Sequence, residues 1–260
     1  KQWLMGMPPA IFGTTYFNFI ASHDGIGLRP IEEILTEEEI DMLAKNIEGA
    51  GGKVSYRTKE NSQRPYELNI ALFDALKLHV KDGDDSYQEA RFISAHTIML
   101  SLEGIPAFYI HSFLATQNDY EKVKHSGKNR GINRHQWQMQ ELEKILLSEN
   151  HHSRMFYELL RLIGIRKRQR AFHPNATQFT LDLGNSVLAL WRQSLDRTQS
   201  IFSIHNISNQ KIAIQLSDLN LIETDNWFDL ISGTKLERSH GKLMLTPYQS
   251  MWITNKSSIM

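Results

Sequence analysis

Cysteine is absent from all 260 residues, which removes disulfides, thiol nucleophiles and thiolate-bound metals in one step. Net charge is absent too. The 29 basic residues balance 29 acidic ones, so no global field draws the chain to nucleic acid or to an anionic membrane. No apolar run approaches the roughly 18 to 20 residues that span a bilayer, and the first residues lack the basic, apolar and small-residue order of a signal peptide. A cysteine-free chain of this kind fits a cytoplasmic enzyme. Glycine-rich phosphate loops, dinucleotide fingerprints and nucleophile elbows are missing as well. The eleven histidines include the neighbours His151 and His152, but adjacent side chains diverge on a helix or strand. No His-Glu-x-x-His spacing occurs, and no metal site is expected. What is present is a globular balance, 41% hydrophobic and 22% charged, able to bury a sizeable core.

The most informative stretch is Ser22-His23-Asp24-Gly25-Ile26-Gly27, which follows the apolar run Tyr16-Phe17-Asn18-Phe19-Ile20. A buried strand that ends on a His-Asp pair and turns away through two glycines puts a carboxylate at the C-terminal mouth of a strand, where (β/α)₈ barrels keep their chemistry. Thr36-Glu37-Glu38-Glu39 is a capping-box pattern, and Ile40, Leu43, Ala44 and Ile47 continue it at helical spacing up to the glycines 49, 51 and 52. Lys53 to Thr58 alternates as a short strand, and Asn61 to Pro65 reads as a loop. Asp82 to Asp85 reads as a turn, and Ser86 with Glu89 as a second capping box ahead of a helix that reaches Leu102. Ala107 to Ile110 reads as the next strand, with a long loop from His111 to about Leu147 behind it. Met155, Leu159, Leu162 and Ile163 mark an amphipathic helix. Its basic end, Arg166 to Arg170, reads as solvated charge at a helix C-terminus. Beyond His173-Pro174 the apolar period falls to two, as in Ile212, Ile214 and Leu216, and short strands separated by turns suggest an antiparallel sandwich.

Three motifs read together extend this picture: His23-Asp24, Gly104-Ile105-Pro106 followed by the aromatics Phe108 and Tyr109, and Asn129-Arg130-Gly131-Ile132-Asn133-Arg134-His135. Together they resemble the end of the catalytic barrel in the α-amylase superfamily, and the last is closest to the sucrose phosphorylase-like glucoside phosphorylases. The resemblance covers essentially the whole chain but only the last part of such an enzyme. It implies an α/β region followed by an all-β one: the C-terminal part of a (β/α)₈ TIM barrel, strands 7 and 8 with an insertion, then an antiparallel β-sandwich. Residues 1–28 would carry strand 7 and its catalytic loop, 29–78 the insertion, 79–175 helix 7, strand 8, the long loop and helix 8, and 176–260 the sandwich. The start at Lys1, close to a buried-type strand, is expected of a segment cut from something longer.

The same resemblance implies roles. Asp24 would be the third carboxylate of a retaining glycoside-active enzyme, stabilising an oxocarbenium-like transition state rather than acting as nucleophile or acid/base. His23 and Arg134 would hold hydroxyls of the glucosyl ring. Tyr66 and Glu67, in Pro65-Tyr66-Glu67-Leu68-Asn69, match an acceptor-side loop. Sucrose-specific members typically carry glutamine at the position of Glu67, so the acid leans toward glucosylglycerate- or glucosylglycerol-type substrates, with Arg64 or Arg29 to offset its charge. The partners would be a small α-glucoside, inorganic phosphate as co-substrate without any further cofactor, and a missing N-terminal barrel segment that carries the nucleophile and acid/base. The segment alone is expected to be inactive. Hydrolysis or transglycosylation, and an inactive truncated remnant that binds carbohydrate, remain open alternatives.

Overall fold

Thr36 starts a helix as its neighbours dictate. In a computed structural model of the chain, which describes residues 2–59, 62–77, 85–219, 227–236 and 241–256, Thr36 Oγ1 accepts from Glu39 N at 3.2 Å. The Glu39 carboxylate accepts from Thr36 N at 2.8 Å in return. Two otherwise orphaned donors are thereby satisfied, and the helix Glu37–Gly49 follows. Its Ile40, Ala44 and Ile47 close a core with Leu28, Val54, Leu68 and Ile70.

That core belongs to one of two compact units, formed by Phe19–Phe92 and Phe108–Glu158. Its sheet is antiparallel, in the order Ile26–Gly27, Ser62–Asn69, Lys53–Lys59. Residues 62–65 therefore belong to a strand, where a loop was expected; Pro65 cannot donate to a ladder, which argues against a strand there. A bulge resolves the conflict. The register passes from Ser55 opposite Glu67 to Tyr56 opposite Pro65, leaving Tyr66 as the extra residue. The expected long loop from His111 to Leu147 is likewise broken into helical pieces: Ile110–Phe113, Tyr120–Ser126, the 3-10 turn Asn129–Asn133 and Met139–Leu147. Asp119 caps the second through Lys122 N at 2.8 Å, and Gly127 ends it at φ +64°, a left-handed conformation that favours glycine. The expected turn at Asp82 to Asp85 lies largely outside the described residues. Glu89, expected to help cap the helix Gln88–Ser101, instead pairs with Arg154 at 2.6 Å.

The second unit comprises Lys1–Asn18, Ile93–Ala107 and Leu159–Met260. It holds a two-residue parallel pair, Phe17 opposite Ile105 and Asn18 opposite Pro106. Ile105 N donates to Tyr16 O at 2.9 Å and Ala107 N to Asn18 O at 2.8 Å, so Pro106 occupies the alternate position whose missing N–H costs the pair nothing. The pairing thus ends where the sequence suggested the strand to begin, and Ile110 already belongs to a helix.

A six-stranded antiparallel sheet dominates this unit, in the order Thr234–Lys235, Phe228–Asp229, Ser250–Thr254, Ser200–Asn206, Val187–Gln193, Thr177–Leu181. A second antiparallel sheet pairs Lys242–Leu245 with Ile212–Gln215. Its Ile214, Leu243 and Leu245 share one core with Val187, Ala189, Phe202, Ile204 and Ile253 of the larger sheet. The opposite face of the larger sheet is equally buried but mixes Leu190, Ile201 and Trp252 with a polar network. Ser101 Oγ donates to Thr97 O at 2.6 Å and accepts from Ser203 Oγ at 2.6 Å and Trp252 Nε1 at 2.8 Å. Having given its proton to Ser101, Ser203 accepts from His205 Nε2 at 3.0 Å, which leaves His205 Nδ1 to accept from Ser250 Oγ at 2.8 Å. Arg192, fully buried, donates to Ser101 O at 2.8 Å, His173 O at 3.0 Å and Ala176 O at 3.2 Å. Arg166, expected in solvent, turns inward onto Leu100 O at 2.8 Å and Gly104 O at 3.1 Å. Among the described residues, no helix is long and apolar enough to cross a membrane.

Candidate active site

The His23-Asp24 pair sits at the tip of a four-residue turn. Ser22 N donates to Gly25 O at 2.9 Å, and Gly25 N donates back to Ser22 O at 3.0 Å. Gly25 is obligatory here. Its φ is +123°, and a Cβ would stand 2.2 Å from the carbonyl oxygen of Leu68. The close approach lets Ile26–Gly27 pair beside the central strand, with Ile26 opposite Leu68 and Gly27 opposite Glu67.

Side chains from far along the chain hold this turn. Asn133 Nδ2 donates to Ser22 O at 2.7 Å, Arg134 Nε to His23 O at 2.9 Å, and Asn69 Nδ2 to Asp24 O at 2.9 Å. Three consecutive carbonyls are thus each fixed by a different residue. Arg134 Nη2 also reaches Asp24 Oδ1 at 2.6 Å, across 110 positions of sequence. The same oxygen has His23 Nε2 and Arg130 Nη1 at 3.3 Å. Among the described residues, Oδ2 carries no partner. The Asp24 side chain keeps 31% of its surface exposed, enough to meet a ligand.

Glu67 is placed differently from its expected role. It is only 6% exposed and is bound in a bidentate fork by Arg130, Nε to Oε1 at 2.9 Å and Nη2 to Oε2 at 2.7 Å. Asn69 Nδ2 adds a third bond to Oε1 at 2.5 Å. The two residues expected to offset its charge are elsewhere: Arg64 is paired with Glu37, and Arg29 lies in the 3-10 turn Arg29–Ile31. The hydrogen bonds Arg130 donates to Glu67 raise its pKa and keep it charged; desolvation opposes this, and the Glu67 and Asp24 charges add to it. Tyr66, the extra residue of the bulge, is half-buried and near enough to Arg130 to act on its charge.

The geometry therefore brings Asp24, His23 and Arg134 together, and ties Glu67 to them through a residue the motif reading passed over, Arg130. No sequence signal near Glu67 points to Arg130, which lies 63 positions on, four residues before Arg134 in the 3-10 turn Asn129–Asn133. Asn133 is held in turn by Tyr109, whose hydroxyl donates to Asn133 O at 2.7 Å. Burial raises the pKa of that hydroxyl, with Arg134 opposing and Asp24 adding, so it remains a donor. On the outer side of the arginines lies an open cleft lined by Ser55, Lys122, Ser126, Lys128, Arg130 and Arg134. Four cations and no acid face it, a wall suited to an anionic group.

No model of a known protein family matches the chain. It is 35% identical over 255 residues to the glucosylglycerate phosphorylase of Escherichia coli K12, covering 96% of this chain and 43% of that protein. To the sucrose phosphorylase of Streptococcus mutans it is 28% identical over 228 residues, covering 86% of this chain and 42% of that protein. Among solved structures, sucrose 6F-phosphate phosphorylase from Thermoanaerobacter thermosaccharolyticum shares the fold over 74% of this chain and 35% of its own, with a TM-score of 0.61 at 22% identity. The chain spans less than half the length of the curated relatives it matches. It is a relative of the sucrose phosphorylase-like glucoside phosphorylases of the α-amylase superfamily, and it matches the C-terminal part of them.

Proposed function

We propose that this chain is the C-terminal part of a retaining α-glucoside phosphorylase of the cytoplasm, with a glucoside of an anionic acceptor, of the glucosylglycerate type, as its substrate. In such an enzyme a nucleophilic carboxylate takes the glucosyl group, and inorganic phosphate releases it as glucose 1-phosphate with no further cofactor. The nucleophile and the acid/base belong to barrel strands that precede this segment. The parallel pair Phe17–Asn18 and Ile105–Pro106 is then the last two strands of the barrel, and the sheets from Thr177 onward are the β-sandwich.

The observation that carries the reading is the meeting of the His23-Asp24 turn with Arg134, 110 residues away. Asp24 supplies a fixed anion beside the positive charge that develops on the ring. His23 and Arg134 supply donors to its hydroxyls, and Tyr66 covers the acceptor side. The preference for an anionic acceptor rests on the cationic cleft of Lys122, Lys128, Arg130 and Arg134. The test is to incubate the full-length protein containing this chain with phosphate and each of glucosylglycerate, glucosylglycerol and sucrose, and to measure glucose 1-phosphate. Glucosylglycerate is expected to give the highest kcat/KM. Free glucose as the main product would make the enzyme a hydrolase, and no product from any of the three would overturn the reading.

A further inference from the structure

We propose that Glu67, Arg130 and Asn69 are positioning residues that aim the Asp24 carboxylate, and that Glu67 does not bind the acceptor. The inference deepens the phosphorylase reading and rests on it for the role of Asp24. An ionised carboxylate offers about four lone-pair sites. In Glu67 three of them are taken from within the protein, by Arg130 Nε, Arg130 Nη2 and Asn69 Nδ2, and the group is nearly buried. Little of it is left for a sugar or an acceptor.

Its partners all lead to Asp24. Arg130 places its remaining nitrogen, Nη1, 3.3 Å from Asp24 Oδ1. Asn69, fixed by Glu67 at Nδ2 and by Ser55 Oγ at Oδ1 (2.6 Å), gives its donor also to the Asp24 carbonyl. Arg134 approaches Oδ1 independently. One carboxylate oxygen is thus held by two arginines, with His23 Nε2 at 3.3 Å, and among the described residues the other has no partner.

The charge of Glu67 matters to this arrangement. With two carboxylates, Arg130 is shared between them, and Asp24 keeps most of its negative charge for the ring. Without the Glu67 charge, Arg130 has Asp24 as its one anionic partner, and is drawn onto it. The carboxylate would then be turned and neutralised at the moment its anion is needed.

Two measurements test this, one without activity. In the 260-residue chain, labelled for NMR, Glu67→Gln is expected to shift the Asp24 carboxyl carbon and the Arg134 Nε–H resonance, while the Trp252 indole N–H stays in place and reports an intact fold. Unmoved Asp24 and Arg134 signals would overturn the proposal whatever the enzyme does. The second uses the full-length protein with α-glucosyl fluoride, whose leaving group has nothing for an acceptor site to hold. Glu67→Gln and Arg130→Met are each expected to lower kcat by about 10- to 100-fold, the scale of a misplaced catalytic group. The loss should be the same with fluoride and with glucosylglycerate, KM should stay within about twofold, and the double variant should be no worse than the poorer single one. If Glu67→Gln spares α-glucosyl fluoride and harms only glucosylglycerate, Glu67 is an acceptor ligand and the proposal fails. If the unaltered protein releases glucose 1-phosphate from neither donor, the phosphorylase reading falls, and the NMR result alone decides whether the relay exists.

Discussion

Arg192 and the pair Arg130 and Arg134 use one side chain in opposite ways. Arg192 lies fully buried under the large sheet, bound to three backbone carbonyls and, among the described residues, to no carboxylate. Burial lowers its pKa to about 10, with Arg166 adding to the effect and Glu103 opposing it. Arg130 and Arg134 are about two-fifths exposed and grip carboxylates. A guanidinium spent on neutral carbonyls can only tie chain segments together. One that shares anions with a half-exposed carboxylate can set where charge sits at a surface a ligand can reach. Burial and partner type, more than residue type, separate the structural network from the chemical one.

Substitutions on either side should keep these networks apart. Replacing Arg192 with Met strands the carbonyls of Ser101, His173 and Ala176, and should cost on the order of 3 kcal/mol or more of stability. Urea unfolding of the chain reads this directly, and a loss under about 1 kcal/mol would mean water or a neighbour replaces the guanidinium. Asp24→Asn keeps the outline of the side chain but removes its charge. In the full-length protein, turnover should fall by roughly 10² to 10³, or about 3 to 4 kcal/mol of barrier, while stability moves by about 1 kcal/mol at most. A large drop in Tm with near-normal turnover would move Asp24 to the structural side.

His205 extends the buried network to pH. Burial lowers its pKa to about 3, below the roughly 6.5 of an exposed histidine. Hydroxyls of Ser101, Ser203 and Ser250 face it. The unfolded chain therefore takes up a proton that the folded chain refuses. Stability is full above pH 6.5 and falls by up to about 1.4 kcal/mol per pH unit down toward pH 3. His151 in the other unit adds in the same direction, its pKa pushed to about 4 by burial and then by His152. Urea midpoints between pH 7.5 and 5 should show the slope, and His205→Gln should reduce it. The smallest effect belongs to Arg64. Its pair with Glu37 is exposed on both sides, so Arg64→Gln should change stability by less than about 1 kcal/mol and leave acceptor preference alone. A change in preference would restore Arg64 to the site.

The legible parts were those set by local chemistry. Thr36 and Glu39 announce a helix start wherever they fall, and Ile212 to Leu216 announces a strand. His23-Asp24 and Arg134 stand out because the short runs that hold them resemble known motifs. Illegible were the features decided by distant partners. Pro65 argues against a strand until the bulge opposite Ser55 and Tyr56 is known. Arg166 looks solvated until Leu100 O and Gly104 O are seen beneath it. Glu67 reads as a ligand for an acceptor because nothing within twenty residues of it reveals Arg130, which lies 63 positions on.

Gly25 has a consequence for how this turn can vary. Every single-base change that alters a glycine codon's residue introduces a Cβ or ends the chain, and at position 25 that atom would collide with the Leu68 carbonyl. No path of small steps leads away from this residue. Variants that move the turn must move the neighbouring strand with it, so the place of the His23-Asp24 pair is fixed by the sheet beside it.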